Sequence, residues 1–525
     1  MNQEIIKFCL GKGILLEREI LNALNESNDI ENLKIFLEKI KLLTKQKVIN
    51  KSLFENNKIF LRDYSQTLSK EDKKNFEALI NSLGIFFQNE SKNDFKKVLD
   101  CTEKKEKMNI KVTNMTQTVP KSIEVKDFVN FFKSRLNEMK NFLQDNSELN
   151  NLVSINKISG KKQNISIIGM VYSKKITKNK NMLIEIEDLT GRITILINKD
   201  KEDLYKKAED IALDSIIGLK GSGSKELFFV SEIIFPEANL NERKRADFEE
   251  YALFLGDLHF GSKLFLKKDF LKFIDYINGK VENTPEVKKI KYLFLVGDLV
   301  TGVGNYPNQE NDLEIQDLEQ QFIHLAKILN TIRKDIKIII SPGNHDGVRL
   351  MEPQPMLDEK YAWPIYEIEN VIITTNPSTV NIGSREGFQG FDVLAYHGFS
   401  FTYYANNVPK LMIKKAMNTP EEIIKYLLKQ RHLAPTHASN QYFPTEKDSL
   451  VLRKIPDIIL AGHTHKSAVS YYNNILIIST SCWESMTPYQ EKFGNKPDHC
   501  KVPMFNLKTR AIKILDFESI EKNDN

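Results

Sequence analysis

The stretch Leu255–Ser262, which reads LGDLHFGS, places a carboxylate and an imidazole two residues apart directly after an apolar run. Four later stretches repeat this design of an apolar run followed by a short polar loop. They are LVGD at Leu295–Asp298, PGNHD at Pro342–Asp346, YHG at Tyr396–Gly398 and AGHTH at Ala461–His465. The recurrence of one design at five places indicates that the loops share one task.

Each of these loops follows a run of β-branched or aromatic apolar residues, which is typical of a buried strand. The predicted strands are Tyr251–Leu255, Tyr292–Val296, Ile336–Ile340, Val393–Tyr396 and Ile458–Ala461. If these strands share sheets, their loops meet at one edge. The side chains brought together there would be Asp257, His259, Asp298, Asn344, His397, His463 and His465.

Length and composition set limits on the rest of the chain. A chain of 525 residues is too long for one core, so we expect two to four domains. The net charge of +5 is a mild positive bias that is compatible with a polyanionic partner. The four scattered cysteines favour a reducing compartment, and no apolar run is long enough to cross a membrane. We therefore expect a soluble, cytoplasmic protein.

The chain divides into four predicted regions. Apolar residues at helical spacing predict an N-terminal helical module over residues 1–86, and loss of that periodicity predicts a flexible linker over 87–121. A helix and a small β-barrel are predicted for 122–245. The loops described above belong to the last region, 246–525.

The region 122–245 begins with a predicted helix, Val125–Leu143, and continues with about five alternating strands. This number and order suggest a small Greek-key barrel of the OB type. Such barrels often bind single-stranded nucleic acid through exposed aromatic residues. Only Tyr172, Phe228 and Phe229 are aromatic candidates here, so a protein-docking scaffold is at least as consistent with the sequence.

The residue types in the five loops suit a pair of divalent cations. Such a pair needs one bridging ligand, and Asp298 follows its apolar run directly. Mixed carboxylate and imidazole ligands favour manganese, with iron or zinc as alternatives, over a magnesium or calcium site. A lone Gly-Asp is usually a turn and a lone histidine is usually structural. However, five of the nine histidines lie within these loops, so coincidence is a poor explanation.

The set Asp-x-His, Gly-Asp, Gly-Asn-His-Asp, His and Gly-His-x-His resembles the calcineurin-like metallophosphoesterase superfamily. The resemblance covers roughly residues 251–480. Within it, the chain resembles the small subunits of archaeal family D DNA polymerases. The stretches that carry this second likeness are LGDLHFGS at 255–262, GVGNYP at 302–307, PGNHD at 342–346, EPQP at 352–355 and RHLAPT at 431–436.

The resemblance implies an αββα sandwich that works as the proofreading 3′→5′ exonuclease of a two-subunit polymerase. One metal would be held by Asp257, His259, Asp298 and His465, and the second by Asp298, Asn344, His397 and His463. His345 would be the general acid or a charge stabiliser near the leaving oxygen, and Asp346 would be a residue outside the ligand set that orients it. The implied partners are a large polymerase subunit and single-stranded or frayed DNA 3′ ends within the nucleoid, with a sliding clamp as a further partner at the tail after Ile512.

Substrate contacts are predicted by their position near the ligands and by their chemistry, since arginine and aromatic side chains suit phosphates and bases. These candidates, each of which could equally be structural, are Tyr306, Arg349, Tyr403, Arg431 and His432. Two other functions stay open at this point. One is a stand-alone phosphoesterase acting on small esters, and the other is a non-catalytic scaffold subunit.

Overall fold

The computed structural model of the chain describes residues 7–9, 11–17, 37, 48–49, 109–116, 121–158, 162–492 and 494–519. The chain forms two compact units, Met1–Lys105 and Glu106–Asn525. In the first unit, two short strands, β1 (Leu15–Leu16) and β2 (Val48–Ile49), pair in parallel. The predicted helical module lies mostly outside the described residues and stays a prediction.

The second unit contains a long helix and a closed barrel. Helix α1 (Val125–Gln144) agrees with the predicted helix to within one residue. The barrel strands are β4 (Lys162–Ile176), β5 (Met182–Asp188), β6 (Gly191–Ile197), β7 (Ile216–Gly223) and β8 (Leu227–Ile234). They close in the order β4-β5-β6-β8-β7, and β6 and β8 are parallel neighbours. Five strands were predicted; membership of the OB class stays a prediction.

Two mixed six-stranded sheets make up most of the rest. The first has the order β12-β11-β10-β9-β18-β19, and its strands are β9 (Tyr251–Leu255), β10 (Ile290–Val296), β11 (Lys337–Ser341), β12 (Val371–Ile373), β18 (Lys501–Asn506) and β19 (Ile512–Asp516). The second has the order β16-β17-β15-β14-β13-β3, and its strands are β3 (Asn109–Met115), β13 (Ser378–Ser384), β14 (Phe391–Ala395), β15 (Ile458–Ala461), β16 (Ala468–Tyr472) and β17 (Ile475–Ser479). The five strands predicted to precede the polar loops are all present.

The two sheets face each other, because alternate residues of both sheets share one apolar cluster that includes Phe254, Phe294, Val393 and Leu460. Helices cover the two outer faces. The described helices after α1 are α2 (Glu202–Glu209, on the barrel), α3 (Lys267–Ile277), α4 (Leu318–Leu329), α5 (Glu359–Tyr366), α6 (Phe401–Asn407), α7 (Pro409–Ile413), α8 (Pro420–Gln430) and α9 (Pro488–Lys492). Helices α3–α5 pack on the first sheet and α6–α8 on the second. The result is the expected four-layer αββα arrangement.

The structure corrects the predicted linker over 87–121. Residues 109–115 form strand β3, which pairs with β13 at the edge of the second sheet. Ile110 and Val112 pack against the core between the sheets, although the intervening lysine, threonine and asparagine hide this alternation in the sequence. The first part of the predicted linker, up to residue 108, lies outside the described residues.

The tail after Ile512 is also part of the fold. Residues 512–516 form the edge strand β19, and the ring of Phe517 lies 5.5 Å from that of Phe273. A clamp-binding motif over this stretch would have to leave the sandwich, so the clamp stays a prediction without structural support. No helix among the described residues is both long and apolar enough to span a bilayer.

Candidate metal centre

Seven potential donors converge at the carboxyl ends of the strands, where the two sheets meet. The loops after β9, β10 and β11 in the first sheet supply Asp257, His259, Asp298 and Asn344. The loops after β14 and β15 in the second sheet supply His397, His463 and His465. Parallel strands end at the same edge of a sheet, and this explains why residues far apart in sequence become neighbours.

The donors form overlapping groups whose nitrogen and oxygen atoms lie within 4.8 Å of one another. The groups are Asp257–His259–His465, Asp298–His397–His463 and His259–Asp298–His345. Asp298 belongs to two of them, with its Oδ2 3.2 Å from His397 Nε2. His259 Nε2 lies 3.0 Å from His465 Nε2, and His397 Nε2 lies 3.0 Å from Asn344 Oδ1. Asp298 therefore lies within reach of His259 on one side and of His397 and His463 on the other.

Backbone conformation at the donors is unusual. Five of them have positive φ angles, which non-glycine residues rarely adopt. These residues are Asp257 (50°), His259 (50°), Asp298 (49°), His463 (67°) and His465 (57°). Positive φ at so many donors indicates that the loops are held in a conformation the site needs and the local sequence does not prefer.

Glycines next to the donors leave room for them. A Cβ at Gly343 would lie 2.3 Å from Asp298 Oδ1, and one at Gly462 would lie 2.5 Å from Asp257 Oδ2. Gly297, with φ of +76°, would place a Cβ 2.3 Å from His397 Nδ1. These distances are far below van der Waals contact. The glycines thus allow the donor side chains to pack directly against the backbone of neighbouring loops.

Burial controls the ionisation of the donors. Burial lowers the pKa of His259 well below its usual range, that of His463 to about 3 and that of His465 to about 4. Burial also raises the pKa of Asp257 to about 8, and the neighbouring Asp298 carboxylate adds to this. Burial alone would lower the pKa of His397, but Asp298 outweighs it and raises the value to about 10. Most of the imidazoles are therefore neutral, the form that binds metals.

This donor set fits two divalent cations. The neutral imidazoles offer nitrogen lone pairs, and two buried carboxylates lie close enough to oppose each other's ionisation unless positive charge is nearby. A mixture of imidazole, carboxylate and amide donors suits manganese, iron or zinc. The side chains of Asp257 and His397 are buried, whereas Asn344, His463 and His465 are half-buried and mark the open side.

Contacts around the donors fix their orientation. His397 Nδ1 donates a hydrogen bond to the carbonyl of Val296 (3.0 Å), which leaves Nε2 for the site. The backbone N–H of His463 donates to both carboxylate oxygens of Asp257, at 2.9 and 3.1 Å. The Gln490 amide lies 2.8 Å from His465 Nδ1. The sequence interpretation did not find these partners. A backbone carbonyl is present at every residue and cannot be recognised from the sequence, and Gln490 is 25 residues away from His465.

His345 lies beside the donors, with its ring centroid 5.0 Å from that of His259. Its Nδ1 donates to the carbonyl of Thr301 (2.8 Å), and the Asn305 amide lies 3.1 Å from the same nitrogen. Both carboxylate oxygens of Asp346 have backbone partners rather than this ring, so its predicted role in orienting His345 stays a prediction. Asp346 instead accepts backbone N–H groups of Val300 (3.1 Å) and Gly343 (2.8 Å), so it holds the loops on which His345 stands.

The surroundings of His432 do not support its prediction as a substrate contact. His432 is buried, its Nε2 lies 2.8 Å from Asp448 Oδ2, and its Nδ1 accepts from the backbone N–H of Ala434 (3.0 Å). Arg135 of helix α1 reaches the same carboxylate, with Nε 2.6 Å from Asp448 Oδ2. This buried ion cluster joins helix α1 to the layer that covers the second sheet.

The other proposed substrate contacts differ in accessibility. Arg431 stacks on Phe142 at 3.7 Å and donates to the carbonyl of Leu452 (3.1 Å), so it also belongs to the joint with helix α1. Arg349 lies over Phe443 at 3.8 Å and donates to the carbonyl of Pro353. Tyr306 is 43% exposed, and its hydroxyl donates to Asp312 (2.9 Å). Tyr403 is half-buried.

Comparison with known proteins places these residues in a family. Residues 252–470 match the family of B subunits of DNA polymerases alpha and epsilon. The DNA polymerase II small subunit of Methanothermobacter thermautotrophicus is 35% identical over 398 residues, which cover 75% of this chain and 80% of that protein. The chain belongs to the DNA polymerase II small-subunit family. The protein of the same description from Pyrococcus abyssi is 36% identical over 406 residues, or 75% of this chain.

The small-subunit relatives from Pyrococcus are longer than the region that matches. The chain spans 64% of the length of the Pyrococcus abyssi protein. Among solved structures, one described as a novel archaeal phosphodiesterase overlaps with 13% identity and a TM-score of 0.26, covering 50% of this chain and 98% of that one. An overlap this weak is no basis for a statement about fold or activity, so the small-subunit assignment rests on the sequence relatives.

Proposed function

We propose that this small-subunit family member is a metal-dependent 3′→5′ exodeoxyribonuclease that removes nucleotides from DNA 3′ ends as part of a two-subunit polymerase. One observation carries the proposal. Donors from both sheets converge in three groups that are linked through His259 and Asp298, and each of the seven expected positions carries a residue with ligand atoms. A subunit with a purely structural role would have no need of this donor set.

In the proposed site, one cation is held by Asp257, His259, Asp298 and His465. The other is held by Asp298, Asn344, His397 and His463. When bound, the two cations supply an activated water and neutralise charge on the phosphate oxygens. Asn344 contributes an oxygen without a further negative charge, which limits repulsion of the phosphate.

The chain's own contribution to bond cleavage is centred on His345. Its Nδ1 is committed to the Thr301 carbonyl, so Nε2 is the ring nitrogen available to substrate. Protonated at Nε2, it gives its proton to the 3′-oxygen that leaves when the phosphorus–oxygen bond breaks. The products are a nucleoside 5′-monophosphate and a DNA strand one nucleotide shorter with a free 3′-hydroxyl.

Single-stranded or mismatched 3′ ends are the preferred substrates in this proposal. The donors lie at the junction of two sheets, and a stacked duplex end must unpair before its terminal phosphate reaches such a site. Arg349, Tyr306 and Tyr403 remain candidate contacts for the unpaired strand. A large polymerase subunit completes the proposed complex and carries out nucleotide addition.

The test uses the full chain, alone and with its large subunit, on 5′-labelled primers with matched, mismatched and single-stranded 3′ ends in Mn²⁺. We expect stepwise shortening, fastest on unpaired ends, and its loss in His463→Ala and Asn344→Ala. Unchanged shortening in both variants would favour the scaffold role. Hydrolysis of small phosphate esters without attack on DNA would favour a stand-alone phosphoesterase.

A further inference from the structure

Two buried amide side chains link the loops that carry Asn344 and His397. Gln354 follows β11 in the first sheet, and Asn376 lies where the chain passes from β12 in the first sheet to β13 in the second. They form an isolated antiparallel bridge, with Gln354 N–H donating to the Asn376 carbonyl (2.7 Å) and Asn376 N–H to the Gln354 carbonyl (3.2 Å). Both side chains are at most 1% exposed.

The side chains of this pair extend the bridge in two directions. Asn376 Nδ2 donates to Gln354 Oε1 (2.6 Å), while Asn376 Oδ1 accepts from the backbone N–H of His397 (2.9 Å). Gln354 Nε2 donates to the carbonyl of Gly343 (3.2 Å), the residue before Asn344. The chain of contacts therefore runs from the Gly343 backbone through both amides to the His397 backbone.

This chain of contacts joins two donors of one proposed ion that come from different sheets. Asn344 Oδ1 and His397 Nε2 lie 3.0 Å apart, although the two residues are 53 positions apart in sequence. We propose that Gln354 and Asn376 are positioning residues that set the spacing of Asn344 and His397, and thereby the affinity of the second metal site. This inference rests on the proposed metal centre.

Amides suit this role better than other buried residues. Each uses an oxygen as acceptor and a nitrogen as donor, so the bridge is satisfied without placing a charge beside the donors. The first proposed ion has different support, because Asp257 is held by the backbone of His463. Loss of the amide bridge should therefore weaken the second ion more than the first. Outer partners of metal ligands are typically worth about 10- to 100-fold in metal affinity.

The test titrates the full chain with Mn²⁺ alone, measuring binding by calorimetry and the magnetic coupling of the ion pair by electron paramagnetic resonance. Wild type is expected to bind two coupled ions. In Asn376→Ala we expect one ion to bind as before, the second to bind about 10- to 100-fold more weakly, and the coupled signal to give way to that of a single ion.

Asn370→Ala is the matched control. Asn370 is equally buried and donates to the Ile336 carbonyl (2.7 Å), but it lies at the opposite end of the first sheet. The Asn370→Ala variant should bind both ions as wild type does. Gln354→Met removes the donor to Gly343 without adding a charge, and we expect the same selective weakening of the second ion, so this variant tests the role if Asn376→Ala does not fold.

A folded variant of Asn376 or Gln354 that binds two coupled ions as tightly as wild type would overturn the positioning role while leaving the metal centre intact. Absence of any ion pair in wild type would instead overturn the proposed function and this inference with it. The two failures are thus distinguished by the wild-type titration.

Discussion

Single residues at the candidate centre combine close packing with unfavourable backbone conformation. Left-handed backbone at a non-glycine residue costs about 1–3 kcal/mol. Asp257, Asp298 and His463 are among the residues that bear this cost. The adjacent glycines make the close packing possible, because a side chain at those positions would occupy the space of a donor.

Gly343→Ala tests this packing. The added Cβ would lie 2.3 Å from Asp298 Oδ1 and 2.4 Å from the backbone nitrogen of Asp298, so both the carboxylate and the backbone of Asp298 must move. We expect the variant to fold but to lose the binding of two Mn²⁺ ions, with at least about 100-fold less nuclease activity, since proposed ligand Asp298 is displaced. Calorimetric titration and primer degradation measure the two effects.

Gly191→Ala is the control for that substitution. A Cβ there would meet only the Ile155 side chain at an ordinary 3.5 Å, in the barrel. Metal binding should be unchanged. If Gly343→Ala also binds two ions with wild-type affinity, the close approach seen at Asp298 has no bearing on the centre.

His345→Ala separates proton donation from metal binding. Because this side chain is not among the proposed ligands, both Mn²⁺ ions should still bind, while the turnover rate should fall by about 100- to 10,000-fold for loss of a general acid. His324→Ala is the control, since His324 is an exposed residue of helix α4. Loss of an ion in His345→Ala would make it a ligand rather than an acid.

At this scale, the sequence predicted which residues the structure brings together, but not the groups that orient them. Asp257, His259 and the other donors stand in short motifs whose spacing is visible. The groups that orient them are backbone carbonyls, such as that of Val296, or amides far away in sequence, such as Asn376. The surroundings of His432 could not be predicted, because its neighbours in sequence say nothing of Asp448, 16 residues away.

At the scale of elements, helix α1 is attached to the sandwich by a buried charge cluster. Arg135 contacts Asp448 and lies over the rings of Phe132 and Tyr442, each 4.9 Å from the guanidinium carbon. His432 shares the same carboxylate. Since α1 also packs against β4 and β7 through Leu136, Met139 and Leu143, this helix links the barrel to the sandwich.

Arg135→Met tests the attachment. Removing the guanidinium leaves the buried Asp448 carboxylate with His432 and the backbone N–H of Leu450 but without its cationic partner, so we expect the free energy of unfolding to fall by about 3–5 kcal/mol. Urea unfolding of the full chain measures this loss. Lys206→Ala, which removes a solvent-exposed pair with Glu202, should cost less than about 0.5 kcal/mol. Equal effects of the two substitutions would contradict the argument.

The same cluster predicts a dependence of stability on pH. Burial lowers the pKa of His432 to about 4, and Arg135 acts in the same direction. The unfolded chain therefore takes up this proton near pH 6.5, whereas the native state does not until about pH 4. The free energy of unfolding should fall as the pH falls from about 6.5 to about 4, by up to about 3 kcal/mol. His432→Gln should reduce the dependence of the free energy of unfolding on pH in that window. If the free energy falls as steeply with pH in the variant as in wild type, His432 is not the group responsible.

Element prediction succeeded where hydrophobic pattern dominates. Strands such as Tyr251–Leu255 and Ile458–Ala461 have the predicted bounds because both faces are covered and the apolar run is continuous. Strand β3 was missed because an edge strand in a polar segment needs only Ile110 and Val112 on its inner face. The order of strands within the sheets depends on tertiary packing that no local pattern encodes.

At the scale of the whole molecule, the candidate centre joins the two sheets. Asp257, Asp298 and Asn344 come from the first sheet, and His397 and His463 from the second. An ion held by donors of both sheets connects them across the interface. Unfolding must separate these donors, so bound ions should stabilise the native state of the second unit.

Metal removal and addition therefore give the last prediction. At a free Mn²⁺ concentration of about 100 times the dissociation constant, the native state should gain about 2.7 kcal/mol per independent site, and chelation should reverse the gain. Thermal unfolding of the full chain over a Mn²⁺ series measures it. His463→Ala and His397→Ala remove donors of the second sheet alone, so they should reduce the Mn²⁺-dependent gain even though the first-sheet donors remain. If these variants gain as much as wild type, the ions are bound within one sheet, and the centre does not join the two halves of the sandwich.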